Sequence, residues 1–168
     1  MVDNKRNRIY LIGMMASGKS TVGKLLAESL EMDFVDMDEE IVSIEKMSVN
    51  KIFESKGEDY FRRVESTILK NLSKRNNLVI STGGGAPIYH NGIDIMKESA
   101  KVIWLKVSKE TIYKRLSSDT KRPLARKISK FQLAKMATTR NAVYKQADIR
   151  VWNRGAVDDV IHRIINQL

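Results

Sequence analysis

Residues 9–20 read Ile9-Tyr10-Leu11-Ile12-Gly13-Met14-Met15-Ala16-Ser17-Gly18-Lys19-Ser20. A short apolar run thus enters a complete G-x-x-x-x-G-K-[ST] loop. The loop opens into Val22, Leu25, Leu26 and Leu30, spaced as one apolar face of a helix. A strand that feeds a helix N-terminus through glycines aims backbone N–H groups and the positive end of the helix dipole at one point, and phosphate binds there. In such a loop Lys19 reaches the β- and γ-phosphates and the Ser20 hydroxyl ligates the accompanying magnesium. A chance glycine turn would need strand, loop, Lys-Ser and helix to fall in order by coincidence.

Working outward, short apolar runs alternate with amphipathic stretches. Strands are expected at Ile9–Ile12, Phe34–Val35, Leu78–Ser81, Val102–Leu105 and Ile149–Val151. Helices are expected at Lys19–Leu30, Asp38–Glu45, Asp59–Leu72, Gly92–Glu98, Lys109–Leu116, Lys130–Lys145 and Val157–Leu168. The last is the clearest, with Val157, Val160, Ile161, Ile164, Ile165 and Leu168 on one face. This alternation implies an α/β fold, a parallel sheet covered on both faces, with ligands at the carboxyl ends of its strands. At 168 residues, without linker, repeat or low-complexity tract, one domain over 1–168 is expected.

There is no cysteine, which suits a reducing cytosol. Lys5, Arg6 and Arg8 before an apolar stretch mimic a signal peptide, but the stretch is short and runs straight into the phosphate loop. No apolar run approaches the ~20 residues of a membrane-spanning helix. The expectation is a cytoplasmic protein without a membrane partner.

Lys and Arg number 30 against 20 Asp and Glu, a formal charge of +10. From Lys114 to Lys130 seven basic residues face one acid, Asp119, so +6 of that charge lies in one segment. Such a segment fits a cover over an anionic ligand. Interleaved aromatics or a recognition helix, the usual marks of nucleic-acid binding, are missing, so no nucleic-acid partner is expected. A solvated basic surface is the competing reading for most of these side chains.

Phosphoryl transfer needs a carboxylate near the magnesium, often at the end of a strand beside the first. Leu78–Ser81 ends instead in Thr82-Gly83-Gly84-Gly85. Asp36 and Asp38, after Phe34-Val35, are the alternatives: two apart on extended chain, they share a face. One can serve the metal and the other accept a proton from an attacking hydroxyl. Alternatively, Asp36 ends a turn and Asp38 caps the helix starting at Glu39. The glycine run is either a flexible turn or a place where a ligand approaches backbone closely. Arg62 lies off the stripe of Phe61, Val64, Ile68 and Leu72, with Glu65 one turn along to orient it. Arg62 and Arg140 read equally as surface residues or as guanidinium forks for a substrate carboxylate.

Together, the loop at Gly13–Ser20, Asp36-Met37-Asp38, Phe61-Arg62-Arg63-Val64-Glu65, Gly83-Gly84-Gly85-Ala86, Arg122-Pro123-Leu124 and Arg140 with Tyr144 resemble the shikimate kinase family, nearly end to end. The resemblance implies a three-layer P-loop fold like that of nucleoside monophosphate kinases, with a central five-stranded parallel sheet. It implies a phosphate loop at 13–21, a substrate region at 33–62 and a mobile lid at 114–127. The implied reaction is phosphorylation of the 3-hydroxyl of shikimate by ATP, with Mg2+ as cofactor, by a monomer. Its implied catalytic residues are Lys19, Asp38 and Arg122, the last as lid arginine. Asp36 would join Ser20 at the metal. Asp38, Phe53, Phe61, Arg62, Gly83, Gly84, Gly85 and Arg140 would hold shikimate. Gly13, Ala16, Ser17, Gly18, Lys19, Ser20, Thr21, Arg115, Arg122 and Arg154 would hold ATP.

The departures are modest: Ala16 replaces a glycine common in the family, tolerable unless its φ is positive; Asn141-Ala142 after Arg140 lacks the proline often found nearby; and Trp152-Asn153-Arg154-Gly155 matches only loosely. A gluconate kinase of the same fold is the nearest alternative. A nucleotide switch protein would carry Asp-x-x-Gly or Asn-Lys-x-Asp, and neither occurs.

Overall fold

A computed structural model describes residues 7–118 and 128–168. Five parallel strands form one sheet in the order β2-β3-β1-β4-β5. They are β1 (Arg8–Ile12), β2 (Asp33–Asp36), β3 (Leu78–Ser81), β4 (Lys101–Lys106) and β5 (Ile149–Trp152). The register sets Leu11 opposite both Ser81 and Ile103, so β3 and β1 end within one residue of each other while β4 runs on to Lys106. Among the described residues seven helices flank the sheet. They are α1 (Lys19–Ser29), α2 (Met37–Glu45), α3 (Val49–Leu72), α4 (Gly92–Ser99), α5 (Lys109–Ser118), α6 (Lys130–Tyr144) and α7 (Val157–Ile165).

The continuous apolar strands follow from burial on both faces, with side chains alternating between two cores. Ile9 and Leu11 join Val22, Leu26, Val79, Ile103, Val160 and Ile164 under α1 and α7. Tyr10 and Ile12 join Met37, Ile41, Ile68, Leu72, Ile80, Val102 and Trp104 on the other side. In α7 the buried Val160, Ile161 and Ile164 contribute about 1.5–3 kcal/mol each relative to exposure. Among the described residues no helix is long and apolar enough to cross a membrane.

Elements match the expected ones to within a few residues, with two corrections. Helix α2 starts at Met37 and its N-cap is Asp36, whose side chain accepts from the Asp38 N–H; Asp38 therefore sits inside the first turn rather than capping it. Helix α3 begins ten residues before the expected Asp59, capped by Ser48, which accepts from the Lys51 N–H. Its first half buries only Ile52 fully, which leaves almost no apolar period to read. The halves meet at Gly57, whose φ of 81° and ψ of 171° interrupt the helix. Across that break Lys56 meets Glu45 at 2.7 Å, and the Tyr60 hydroxyl donates to Glu45 at 3.0 Å, tying both halves to the end of α2.

Candidate active site

The loop between β1 and α1 curls around its own lysine. Lys19 is buried and its ammonium donates to the carbonyls of Gly13 (3.0 Å) and Met14 (2.8 Å) and to Ser17 Oγ (3.3 Å). Gly18 caps α1 at φ 90°, where a Cβ would lie 2.5 Å from the Asn153 amide nitrogen. That amide donates to the Ser17 carbonyl at 2.7 Å and pins the loop to the end of β5. Ala16 has φ 57°, in the left-handed region, so the condition for tolerating alanine there is not met and its backbone is strained.

Ser20 Oγ donates to Asp36 Oδ2 at 2.5 Å and lies 3.4 Å from Ser81 Oγ. The other Asp36 oxygen is the α2 cap, which fixes this carboxylate in place. Register pairs Asp36 with Ser81, which explains how a strand lacking its acid is served by its neighbour. Among the described residues no three His, Cys, Asp or Glu converge on one point. The hard oxygens of Ser20 and Asp36 nevertheless fit a magnesium ion that keeps most of its waters.

A second cavity, of about 460 Å³, opens beside the loop and is lined among others by Asp38, Phe53, Phe61, Arg62, Gly83–Gly85 and Arg140. Arg62 is buried, not a surface residue. It donates to Glu65 at 2.8 Å and Glu58 at 3.0 Å, and its guanidinium stacks 4.4 Å above the Tyr89 ring. Burial works to lower the Arg62 pKa, but Glu65 and Glu58 outweigh it and raise it, so the cation is secure. Burial pushes the Glu65 carboxyl up against the opposing pull of Arg62, with Asp38 adding to the rise.

The three glycines stand where these side chains press on the backbone. A Cβ on Gly85 would run into the Arg62 guanidinium and one on Gly83 into Glu65 Oε1; on Gly84 it would lie 2.9 Å from Arg140 Nη1. Their φ angles are not positive, so close approach, not turn geometry, demands glycine. The buried Tyr144 hydroxyl donates to the Gly84 carbonyl at 2.5 Å.

The phosphate-loop cavity, about 400 Å³ with Lys19, Ser20, Thr21, Asp36 and Ser81, shares Met15, Asp38, Gly83 and Gly84 with the second cavity. Asp38 thus borders both. A further cavity of about 530 Å³ lies behind the loop, lined by Gly18, Thr21, Arg115, Asn153 and Gly155. Arg115 donates to the Ala16 carbonyl at 2.8 Å there. Arg154 is exposed and outside that lining, its carbonyl accepting from Arg163. Arg122 lies outside the described residues. Sequence reasoning missed Glu58, Tyr89 and Asn153. Glu58, one turn before Arg62 on the same helix, was the one with a readable signal.

The family model for shikimate kinase matches residues 15–168. The shikimate kinase of Persephonella marina is 42% identical over 160 residues, covering 95% of both chains. A shikimate kinase structure from Acinetobacter baumannii, in complex with shikimate, superposes with a TM-score of 0.90 at 33% identity, covering 97% of this chain and 93% of that one. A gluconokinase from Sinorhizobium meliloti reaches a TM-score of 0.61 at 14% identity, over 98% of this chain and 92% of that one, a likeness of fold alone.

Proposed function

The chain belongs to the shikimate kinase family, and we propose that it transfers the γ-phosphoryl group of ATP to the 3-hydroxyl of shikimate, giving shikimate 3-phosphate and ADP. The observation that carries this reading is the position of Asp38 on the boundary between a phosphate-loop cavity and an arginine-lined one.

In this reading Arg62 and Arg140 hold the shikimate carboxylate, and Phe53 and Phe61 flank the apolar side of the ring. Asp38 orients the acceptor hydroxyl. As its oxygen bonds to the γ-phosphorus, the bond to the ADP oxygen breaks and the hydroxyl proton passes to the Asp38 carboxylate. Lys19 meets the charge on the β- and γ-phosphates. Ser20 and, through water, Asp36 would hold Mg2+, which supplies charge neutralisation to the phosphates when bound. Gly13, Ala16, Ser17, Gly18 and Thr21 shape the phosphate seat, Arg115 flanks the base, and Arg122 covers the transferred group. The favoured setting is a cytoplasmic monomer, with a single domain over 1–168 and no nucleic-acid or membrane partner.

The test is a coupled ADP-release assay with MgATP and shikimate, quinate, gluconate or no acceptor, on wild type and Asp38→Asn. Shikimate-dependent release that collapses in the variant is expected. Preference for gluconate, or equal turnover without acceptor, would sink the assignment.

A further inference from the structure

One buried hydroxyl at the site has no place in the chemistry above. Tyr144 closes α6, fully buried, with its ring tilted 52° against Trp104 at a centroid distance of 5.7 Å. Its hydroxyl donates to the carbonyl of Gly84 at 2.5 Å. A Cβ on Gly84 would lie 2.9 Å from Arg140 Nη1, 3.4 Å from the Gly13 carbonyl oxygen and 3.5 Å from the Met15 nitrogen. Arg140 precedes Tyr144 by four residues on the same helix and so shares its face. The Gly84 residue is therefore close to Arg140 and to the phosphate loop, and the phenol fixes its carbonyl.

We infer that Tyr144 is a positioning residue that sets Arg140 against the Gly84 peptide, and so places the acceptor's carboxylate relative to the phosphate loop. The inference rests on the shikimate reading, in which Arg140 binds that carboxylate. A ring needed only to fill the core beside Trp104 could be phenylalanine; the hydroxyl adds the bond to the Gly84 carbonyl. Deleting the oxygen leaves a partly buried carbonyl without its donor and lets the peptide and the guanidinium shift together.

Tyr144→Phe keeps the ring and removes the bond. The KM for shikimate should rise roughly tenfold, while the KM for ATP and the acceptor-free ATPase rate stay at wild-type values. In an Arg140→Lys background the same substitution should change the shikimate KM less than about twofold, because the effect passes through the guanidinium. Equal rises in both KM values, full additivity with Arg140→Lys, or a lowered Tm with unchanged kinetics would each overturn the assignment. Should Tyr144→Phe not fold, Trp104→Leu, which leaves the hydroxyl but removes its ring support, takes its place. A rise in the shikimate KM alone is expected, and no rise overturns the inference. Wild-type turnover of shikimate is measured alongside; if it is absent, the reading of the substrate fails instead.

Discussion

Ser20 and Asp36 are joined by a 2.5 Å hydrogen bond, and the second oxygen of the same carboxylate caps α2 through the Asp38 N–H at 3.0 Å. One side chain therefore links the phosphate loop to the helix that carries the proposed proton acceptor. Asparagine caps a helix as well as aspartate but has no charge to offer a cation. Asp36→Asn should keep the wild-type Tm while the magnesium concentration for half-maximal rate rises roughly tenfold or more. Asp36→Ala should show the same magnesium effect and lose about 1 kcal/mol of stability as well. Magnesium titrations paired with thermal melts separate these; an unchanged magnesium requirement in both variants removes Asp36 from the metal site.

Gly85 lies where the Arg62 guanidinium presses against the chain. Gly85→Ala should displace that guanidinium by a fraction of its own width and lower kcat/KM for shikimate about a hundredfold. Nucleotide binding should survive, because Gly85 lines the Arg62 cavity but not the phosphate-loop cavity. Steady-state kinetics and titration with a non-hydrolysable ATP analogue decide it; wild-type kcat/KM would show that the crowding is relieved elsewhere.

Ala16 holds φ 57° against an intrinsic cost of about 1–2 kcal/mol for an L side chain. Glycine removes that cost but loses about 0.5–1 kcal/mol in chain entropy. Ala16→Gly should therefore stabilise the protein by up to about 1.5 kcal/mol, with Tm rising about 2–4 °C for each kcal/mol gained. A fall in Tm would mean that the loop relaxes around alanine.

Burial pushes the Tyr10 phenol up to about 12, against the pull of Ser99 and Arg8, and does the same to Tyr144 against Arg140. In the unfolded chain both return to about 10. Their folded pKa values are raised, so the stability they contribute is intact below pH 10 and is lost as pH climbs toward 12. The expected slope is about 1.4 kcal/mol per pH unit for each tyrosine. Denaturant midpoints between pH 9 and 12, with tyrosinate absorbance, would show it, and Tyr10→Phe should remove one share. A flat profile would mean that these phenols ionise without unfolding.

The sheet was legible because its strands are apolar without a break and the phosphate loop marks one crossover. Asp38, Arg62 and the glycine run could be named from sequence because each carries a side chain, or lacks one, for a chemical reason. Whether Asp36 or Asp38 caps the helix stayed open in the sequence, because two carboxylates two residues apart offer the same local signal; the bond from the Asp38 N–H to the Asp36 carboxylate separates them. Arg62 read as evenly surface or site, since nothing in a helical period says that Glu58, Glu65 and Tyr89 will bury a guanidinium. Asn153 was beyond reach: its amide meets Ser17 across 136 positions of chain. The first half of α3 escaped because only Ile52 is fully buried, with Val49 and Phe53 shared between core and cavity, which leaves almost no apolar period to read.

That half-helix has a consequence of its own. Residues 49–56 are separated from the rest of α3 by Gly57, and Glu45, Lys56 and Tyr60 bind the two sides of the break by polar contacts. A backbone segment with one fully buried side chain and a polar latch opens at less than the free energy of global unfolding. Its amides belong to a separate exchange unit from those of β1 and β3, and deuterium should enter it first. Exchange measurements should therefore find walls of unequal permanence in the proposed shikimate cavity, Arg62 and Glu65 holding their order longest and Val49 and Phe53 opening first.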